Sequence, residues 1–356
     1  NTLGIYSMDE GPEDEARRTG ADDSALATVP ESSGTLAISS APPAPGRTSH
    51  LAASTMLLTG HAAAVYCLQF NPMGDALATG SFDKTILLWD VYEDCKNYNV
   101  LAGHTNAVLD LKWSPNGCQI ASASADKTLM LWDSNKGTRI RKCKEHTGCV
   151  NSVAVAGDKV AALIATASDD RTVKLWDNRS RRSVQTIEHR FQLLAVALSA
   201  DGKKVFAGGI DNSIQVWDMA KGPAPLDVLE GHSETVTGLS LSPDGKYLLS
   251  NAMDNTVRQW DVRPFVTGGR LVQVFQGGTH GSDRNLLRCA WSQDGEMVSA
   301  GSADRAVHVW DVPSGQELYY LPGHKGTVNE VVFHPREPVI ASASSDKTCY
   351  LGELAG

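Results

Sequence analysis

The dipeptide Trp-Asp stands at positions 89, 132, 176, 217, 260 and 310, and successive tryptophans are separated by 43, 44, 41, 43 and 50 residues. A period in the forties corresponds to one supersecondary unit per repeat, so the chain folds as an array of similar units packed on one another. Six residues before each tryptophan stands an aspartate: Asp83, Asp126, Asp170, Asp211, Asp254 and Asp304. Asp346 keeps the register although Gly352-Glu353 replaces Trp-Asp, which makes seven units. A histidine precedes each aspartate by 22 or 24 residues: His61, His104, His146, His189, His232, His280 and His324. Between histidine and aspartate each unit reads as an alternating apolar strand, a turn such as Asn71-Pro72-Met73-Gly74, and a second strand. The aspartate then occupies a tight turn before a third strand that ends in tryptophan.

Gly-His pairs beginning at 60, 103, 231 and 323, the Trp-Asp marks and several short strands per unit resemble the WD40 repeat. The resemblance implies an all-β, seven-bladed WD40 β-propeller. In that family the histidine, a serine or threonine on the second strand, the aspartate and the tryptophan form a hydrogen-bonded network inside each blade. Carried over residue by residue, the complete sets are His61, Thr79, Asp83, Trp89; His104, Ser122, Asp126, Trp132; His146, Thr166, Asp170, Trp176; and His232, Ser250, Asp254, Trp260. Ala207 and Ala300 break the set in the fourth and sixth units, and the seventh has Ser342 but no tryptophan. A buried histidine or aspartate is costly without a partner, so mutual pairing accounts for the fixed spacing. The last unit ends near Leu354, after its third strand, while the strand-like Ser54-Thr55-Met56-Leu57-Leu58 precedes the first Gly-His. This N-terminal strand is expected to complete the last blade and close the ring.

Residues 1–53 are rich in Ala, Ser, Gly, Pro and acid and lack periodicity, so a disordered tail is expected ahead of a propeller over 54–356. Eight acids and three arginines in the tail leave the remainder near −4 of a net −9. That balance lacks the overall basic character of a dedicated nucleic-acid binder, and leaves room for local basic patches. No apolar run approaches the roughly 18 residues needed to cross a bilayer, and no membrane partner is expected. Seven cysteines without a Cys-x-x-Cys pair point to a reducing compartment. Repeated His, Asp and Ser could be read as hydrolytic triads, but seven copies in one register beside a tryptophan argue for scaffold. With no G-x-S-x-G, H-E-x-x-H, phosphate-loop or dinucleotide fingerprint, neither catalysis nor a cofactor is expected. His308 and His334 lack a second ligand at metal-binding spacing, so no metal is expected, and a solvent-facing His308 is the simpler reading.

Partner sites on such a ring are expected in the loops at the ends of its channel. The residue before each turn aspartate should face the histidine end: Phe82, Ala125, Asp169, Ile210, Met253, Ala303 and Ser345. Phe82 is one candidate there. Phe191, Ile210 and Met253 are candidates for an apolar patch across the fourth and fifth blades, with core packing as the alternative. At the other end, 20 residues separate Trp260 from His280, against 13 to 15 in the other complete units, placing Arg263 and Phe265 in a long loop. A basic run, Lys136, Arg139, Arg141, Lys142 and Lys144, falls on the expected outer strand of the second blade, and Arg179, Arg181 and Arg182 follow the third tryptophan. RNA phosphate, an acidic partner and a merely solvated edge all fit these cations.

The runs TGLSLSPDGKYLLSNAMDNTVRQWDVRPF (237–265), NLLRCAWSQDGEMVSAGSADRAVHVWDV (285–312) and LPGHKGTVNEVVFHPREPVIASASSDK resemble the forty-kilodalton WD40 proteins of the U5 small nuclear ribonucleoprotein. The resemblance extends over about residues 56–353 and includes Arg263-Pro264-Phe265, which a WD40 repeat does not require. The acidic tail departs from the basic residues expected in that family, so no tail function carries over. The resemblance implies a nuclear, non-catalytic protein-interaction scaffold of pre-mRNA splicing, a subunit of the U5 particle. It would stand as a single copy among larger U5 proteins and associate indirectly with U5 RNA and pre-mRNA. An alternative comes from Trp176-Asp177-Asn178-Arg179 and Trp260-Asp261-Val262-Arg263, which resemble the W-D-x-R box of cullin-type ubiquitin-ligase substrate receptors. On that reading Arg179 and Arg263 bind the ligase adaptor.

Overall fold

The computed structural model describes residues 49–354 apart from 93, 158–161, 181 and 223; the expected tail, up to position 48, lies outside the described residues. Among the described residues, 28 strands form seven antiparallel four-stranded sheets, with no helix. Blades one to six are consecutive in sequence, at 65–102, 108–143, 150–188, 193–229, 236–275 and 289–322. Each innermost strand packs on that of the next blade, and the innermost strand of blade seven, Val328–Phe333, packs on that of blade one, Val65–Phe70. The protein is a closed seven-bladed propeller.

Both faces of a blade are covered by its neighbours, so strands such as Ala76–Ser81 and Val339–Ser344 are buried at every position instead of alternating. Small residues in the second strands, such as Ala121-Ser122-Ala123-Ser124, let the blades converge toward the axis. The buried Trp132, Trp217, Trp260 and Trp310 fill the wider space one strand further out.

The turn between second and third strands is the same in every blade. The residue after the aspartate, namely Lys84, Lys127, Arg171, Asn212, Asn255, Arg305 or Lys347, has φ between 62° and 73°. That left-handed region costs a non-glycine residue roughly 1–2 kcal/mol. The aspartate offsets it: Asp83 Oδ1 accepts from Thr85 N at 3.0 Å and from Thr85 Oγ1 at 2.6 Å. Asp126, Asp170, Asp254 and Asp346 hold Thr128, Thr172, Thr256 and Thr348 in the same way. One carboxylate oxygen thus fixes the turn and leaves Oδ2 for the histidine.

The outer strand of blade seven comes from the other end of the described chain. Thr55–Thr59 runs antiparallel to Thr348–Glu353, pairing Thr55 with Gly352 and Thr59 with Thr348. The chain is packed even before this strand. Ser49 N donates to Glu353 Oε1 at 2.9 Å, His50 Nδ1 lies 2.8 Å from Glu337 Oε1, and Leu51 is buried in the core shared by blades one and seven.

Charge fills the axis. Cys67, Asp110, Ser152, Ala195, Gly238 and Glu330 occupy equivalent positions on six innermost strands, and Arg288 takes that position immediately before the innermost strand of blade six. From blade six, Arg288 Nη1 donates to Thr237 O at 3.1 Å and to Leu194 O at 3.3 Å, and its Nη2 donates to Asn151 O and lies 3.8 Å from Asp110. Blades five and six approach closely here because Gly238 has no side chain; a Cβ would stand 2.8 Å from Leu287 O. Lys112 Nζ lies 3.3 Å from Glu330 Oε1 and 3.7 Å from Asp110 Oδ1. Glu330 Oε2 accepts from Leu68 N at 2.9 Å, and Asp110 Oδ2 accepts from Ser152 Oγ at 2.8 Å. Two acids and two bases therefore touch all seven blades. Burial pulls the Lys112 ammonium toward neutrality, but the Glu330 and Asp110 carboxylates outweigh it and raise its pKa.

Candidate partner-binding surfaces

Inside blade one, His61 Nδ1 is 2.8 Å from Asp83 Oδ2 and His61 Nε2 is 2.8 Å from Thr79 Oγ1, which also accepts from Trp89 Nε1 at 2.9 Å. Blades two, three and five repeat this, with Nδ1–Oδ2 distances of 3.0, 2.7 and 2.9 Å and indole bonds of 2.8, 2.9 and 2.8 Å to Ser122, Thr166 and Ser250. Burial by itself would raise the aspartate carboxyls. In Asp126, Asp170 and Asp254 the hydrogen bonds from His104, His146 and His232 and from the turn threonines overcome it and hold the acids well below the usual range. Burial also lowers His61 and His232, favouring the neutral imidazole. Each shared hydroxyl is fully buried and already bonded to histidine and tryptophan, so its hydrogen-bonding capacity is taken up inside the blade.

The other blades depart from this in different ways. In blade seven His324 holds Asp346 and Ser342, with Tyr350 edge-on at 4.7 Å in place of an indole. In blade four, where Ala207 removes the hydroxyl, His189 Nε2 stands 3.5 Å from Asp211 Oδ2, and the second aspartate oxygen is buried without a hydrogen-bond partner among the described residues. Blade six corrects the sequence register. His280 does not reach Asp304; its Nε2 faces Asn251 Oδ1 of blade five at 3.3 Å. His308, expected to face solvent, is buried on the third strand, where Nε2 lies 2.8 Å from Asp304 and Nδ1 2.7 Å from Glu317. With Ala300 beside it, an imidazole entering from the third strand has room to stack on Trp310, at 5.6 Å between centroids. Trp310 Nε1 donates to Gln276 O instead of to a hydroxyl.

Antiparallel strand order puts two kinds of loop at the histidine end: those joining second to third strands and those leading into the next blade. Phe191, Ile210 and Met253 all lie in such loops. Phe191 is 39% exposed with the Arg190 guanidinium 5.3 Å from its ring, while Ile210 and Met253 are half-buried and belong to no core cluster. Their loops are stitched together: Ile210 N donates to Gln192 O at 3.3 Å, Asn212 Nδ2 to Ser233 O at 2.9 Å, and Met253 N to Thr235 O at 2.9 Å. Phe82, also exposed, stands apart on blade one, edge-on to Tyr66 at 6.3 Å. At the opposite end Phe265 is 97% exposed with φ of 60°, beside a cavity of about 340 Å³ lined by Leu226, Val262 and Arg270. Arg263 is bonded through Nε to Asp261 at 3.0 Å and lies over Tyr247, whereas Arg179 is exposed and its backbone N donates to Asp177.

The WD domain, G-beta repeat model matches residues 53–90, 95–133, 137–177, 181–218, 223–261, 269–311 and 315–351, each match joining the outer strand of one blade to the three inner strands of the next. Over 310 residues the chain is 52% identical to the U5 small nuclear ribonucleoprotein 40 kDa proteins of Homo sapiens and Mus musculus, spanning 87% of this chain and 86% of each relative. The chain belongs to this family of WD40 proteins. A similar relationship, 46% identity over 309 residues, links it to the pre-mRNA-splicing factor cwf17 of Schizosaccharomyces pombe, across 86% of this chain and 90% of that protein. Within this WD40 protein, sequence reasoning missed the axial cluster of Asp110, Lys112, Arg288 and Glu330. The available signal was charge on innermost strands where the other blades carry small or apolar residues, as at Ala195 and Gly238.

Proposed function

We propose that this chain is a non-catalytic scaffold subunit of the U5 small nuclear ribonucleoprotein, acting in the nucleus in pre-mRNA splicing. The observation that carries the reading is identity of 52% over 310 residues to proteins named for that particle. The shared hydroxyls, histidines and aspartates of the blades are engaged with one another, which supports a binding role over catalysis. Phe191, Ile210 and Met253 form the surface offered to a larger U5 protein, since stitched loops hold them at one end without placing them in a core cluster. Fully covering a large apolar side chain contributes about 1.5–3 kcal/mol, so changing all three to Ser should weaken assembly by well over tenfold.

The test is immunoprecipitation from nuclear extract with U5 RNA as readout, together with a melting curve for each variant. Wild type should recover U5 RNA, and the folded triple variant should recover far less. Wild-type recovery by the triple variant would place the contact on another surface. No recovery by wild type would defeat the splicing assignment. Arg263→Ala should leave recovery unchanged, because only the ligase-receptor alternative requires that side chain.

A further inference from the structure

Residues 136–144 carry five cations and no acid, and residues 178–182 carry three cations and no acid, in a protein of net charge −9. The structure joins the two stretches. Thr138–Cys143 is the exposed outer strand of blade two, and from it Arg141 Nη1 donates to Asn178 O at 2.9 Å and also to Ser180 O. The turn of blade three is thereby held against the edge of blade two. Arg139, Lys144, Arg179 and Arg182 are exposed, as is Lys136, while Arg181 lies outside the described residues.

Edge protection does not account for this charge. If cations served to block strand pairing, other outer strands would carry them too. Asn97–Ala102, Leu271–Phe275 and Thr55–Thr59 contain no charged residue, while Ser183–Glu188, Asp227–Leu229 and Glu317–Pro322 contain one acid each. Among the outer strands of the described residues, positive charge is confined to this one.

We infer that this edge of blades two and three binds the phosphate backbone of RNA. The six-residue strand extends about 20 Å at roughly 3.3 Å per residue. The blade-three turn is docked beside it through Arg141, so the two cationic stretches lie next to one another on the rim. At about one phosphate per 1.7 Å of duplex axis, both strands counted, a rim of that length runs alongside on the order of ten phosphates. Arginine predominates, and its planar fork matches phosphate oxygens in pairs. A protein segment would need an apolar anchor, and the strands offer two separated side chains, Ile140 and Val184, 44% and 62% exposed. Recognition is of backbone charge and is independent of base sequence. The inference stands on charge placement and does not depend on the U5 assignment.

The test uses the purified full chain and a fluorescent mixed-sequence RNA duplex, with anisotropy read between 50 and 200 mM salt. One variant combines Arg139→Gln, Lys144→Gln and Arg182→Gln; a control of equal charge change combines Arg305→Gln, Lys325→Gln and Lys347→Gln. The rim variant should bind at least about tenfold more weakly at low salt. Its slope of log K against log salt should be shallower by about two to three, at 0.7–0.9 per lost phosphate contact. The control should stay within about twofold of wild type, and circular dichroism should be unchanged in both. Equal losses in the two variants would reduce the effect to net charge and overturn the inference, as would no binding by wild type. Tighter binding of a polyglutamate probe than of RNA would also overturn it, in favour of an acidic protein partner.

Discussion

At the residue scale the blade network is a problem of shared valence. The Thr79 hydroxyl serves both His61 and Trp89, so deleting it strands two buried groups at once. Thr79→Val keeps the shape and should lower stability by about 2–4 kcal/mol in urea denaturation, because each orphaned buried group costs about 1–3 kcal/mol. Thr79→Ser keeps the hydroxyl, loses one methyl, and should cost about 1 kcal/mol. Equal costs for the two would show that packing, and not hydrogen bonding, explains the position. The members of this network were legible because their spacing repeats. Blade six was not, since His280 and His308 both flank Asp304, and spacing favours the one whose ring faces blade five. What decides between them is the volume left beside Ala300, a three-dimensional quantity without a sequence period. Candidate partner residues were legible only as loop positions; that Arg263 is bonded to Asp261 follows from the course of its loop.

At the element scale the informative unit is the strand Thr55–Thr59, which has no hairpin partner of its own and pairs with Thr348–Glu353. Its role was legible by counting, since six units possess a fourth strand and the last does not. The contacts of Ser49 to Leu51 were not, because a short Ser-His-Leu stretch beside Ala and Ser has the composition of the tail it adjoins. Removing residues 1–48 leaves the Ser49–Glu353 bond and the strand in place, and should shift the melting temperature by no more than about 2 °C. Removing residues 1–59 uncovers the edge of blade seven and takes Leu51 and Leu58 from the core. Two such side chains contribute about 3–6 kcal/mol, and at 2–4 °C per kcal/mol the expected drop is on the order of 10 °C. Coincident melting curves for the two truncations would refute closure by this strand.

At the scale of the whole molecule, the axis raises the question of what makes seven blades one cooperative body. Adjacent blades share apolar clusters, which join nearest neighbours only. Arg288 differs in reach, since one guanidinium bonds to carbonyls on blades three, four and five and approaches Asp110 on blade two. Glu330 and Lys112 complete the circuit through blades seven, one and two. Buried charges of this kind stabilise little relative to an apolar core of the same shape, but breaking one pair is expensive because its partner stays buried and uncompensated. Arg288→Met, which keeps much of the volume, should therefore lower stability by about 3–5 kcal/mol. Adding Asp110→Asn to Arg288→Met restores charge balance, with Lys112 left facing Glu330 alone. The double variant should then be less damaged than the sum of its single changes, with a coupling of at least about 1 kcal/mol in a double-mutant cycle. Strict additivity would mean that Arg288 and Asp110 act independently, leaving the carbonyl bonds of Arg288 as its whole contribution to joining the blades.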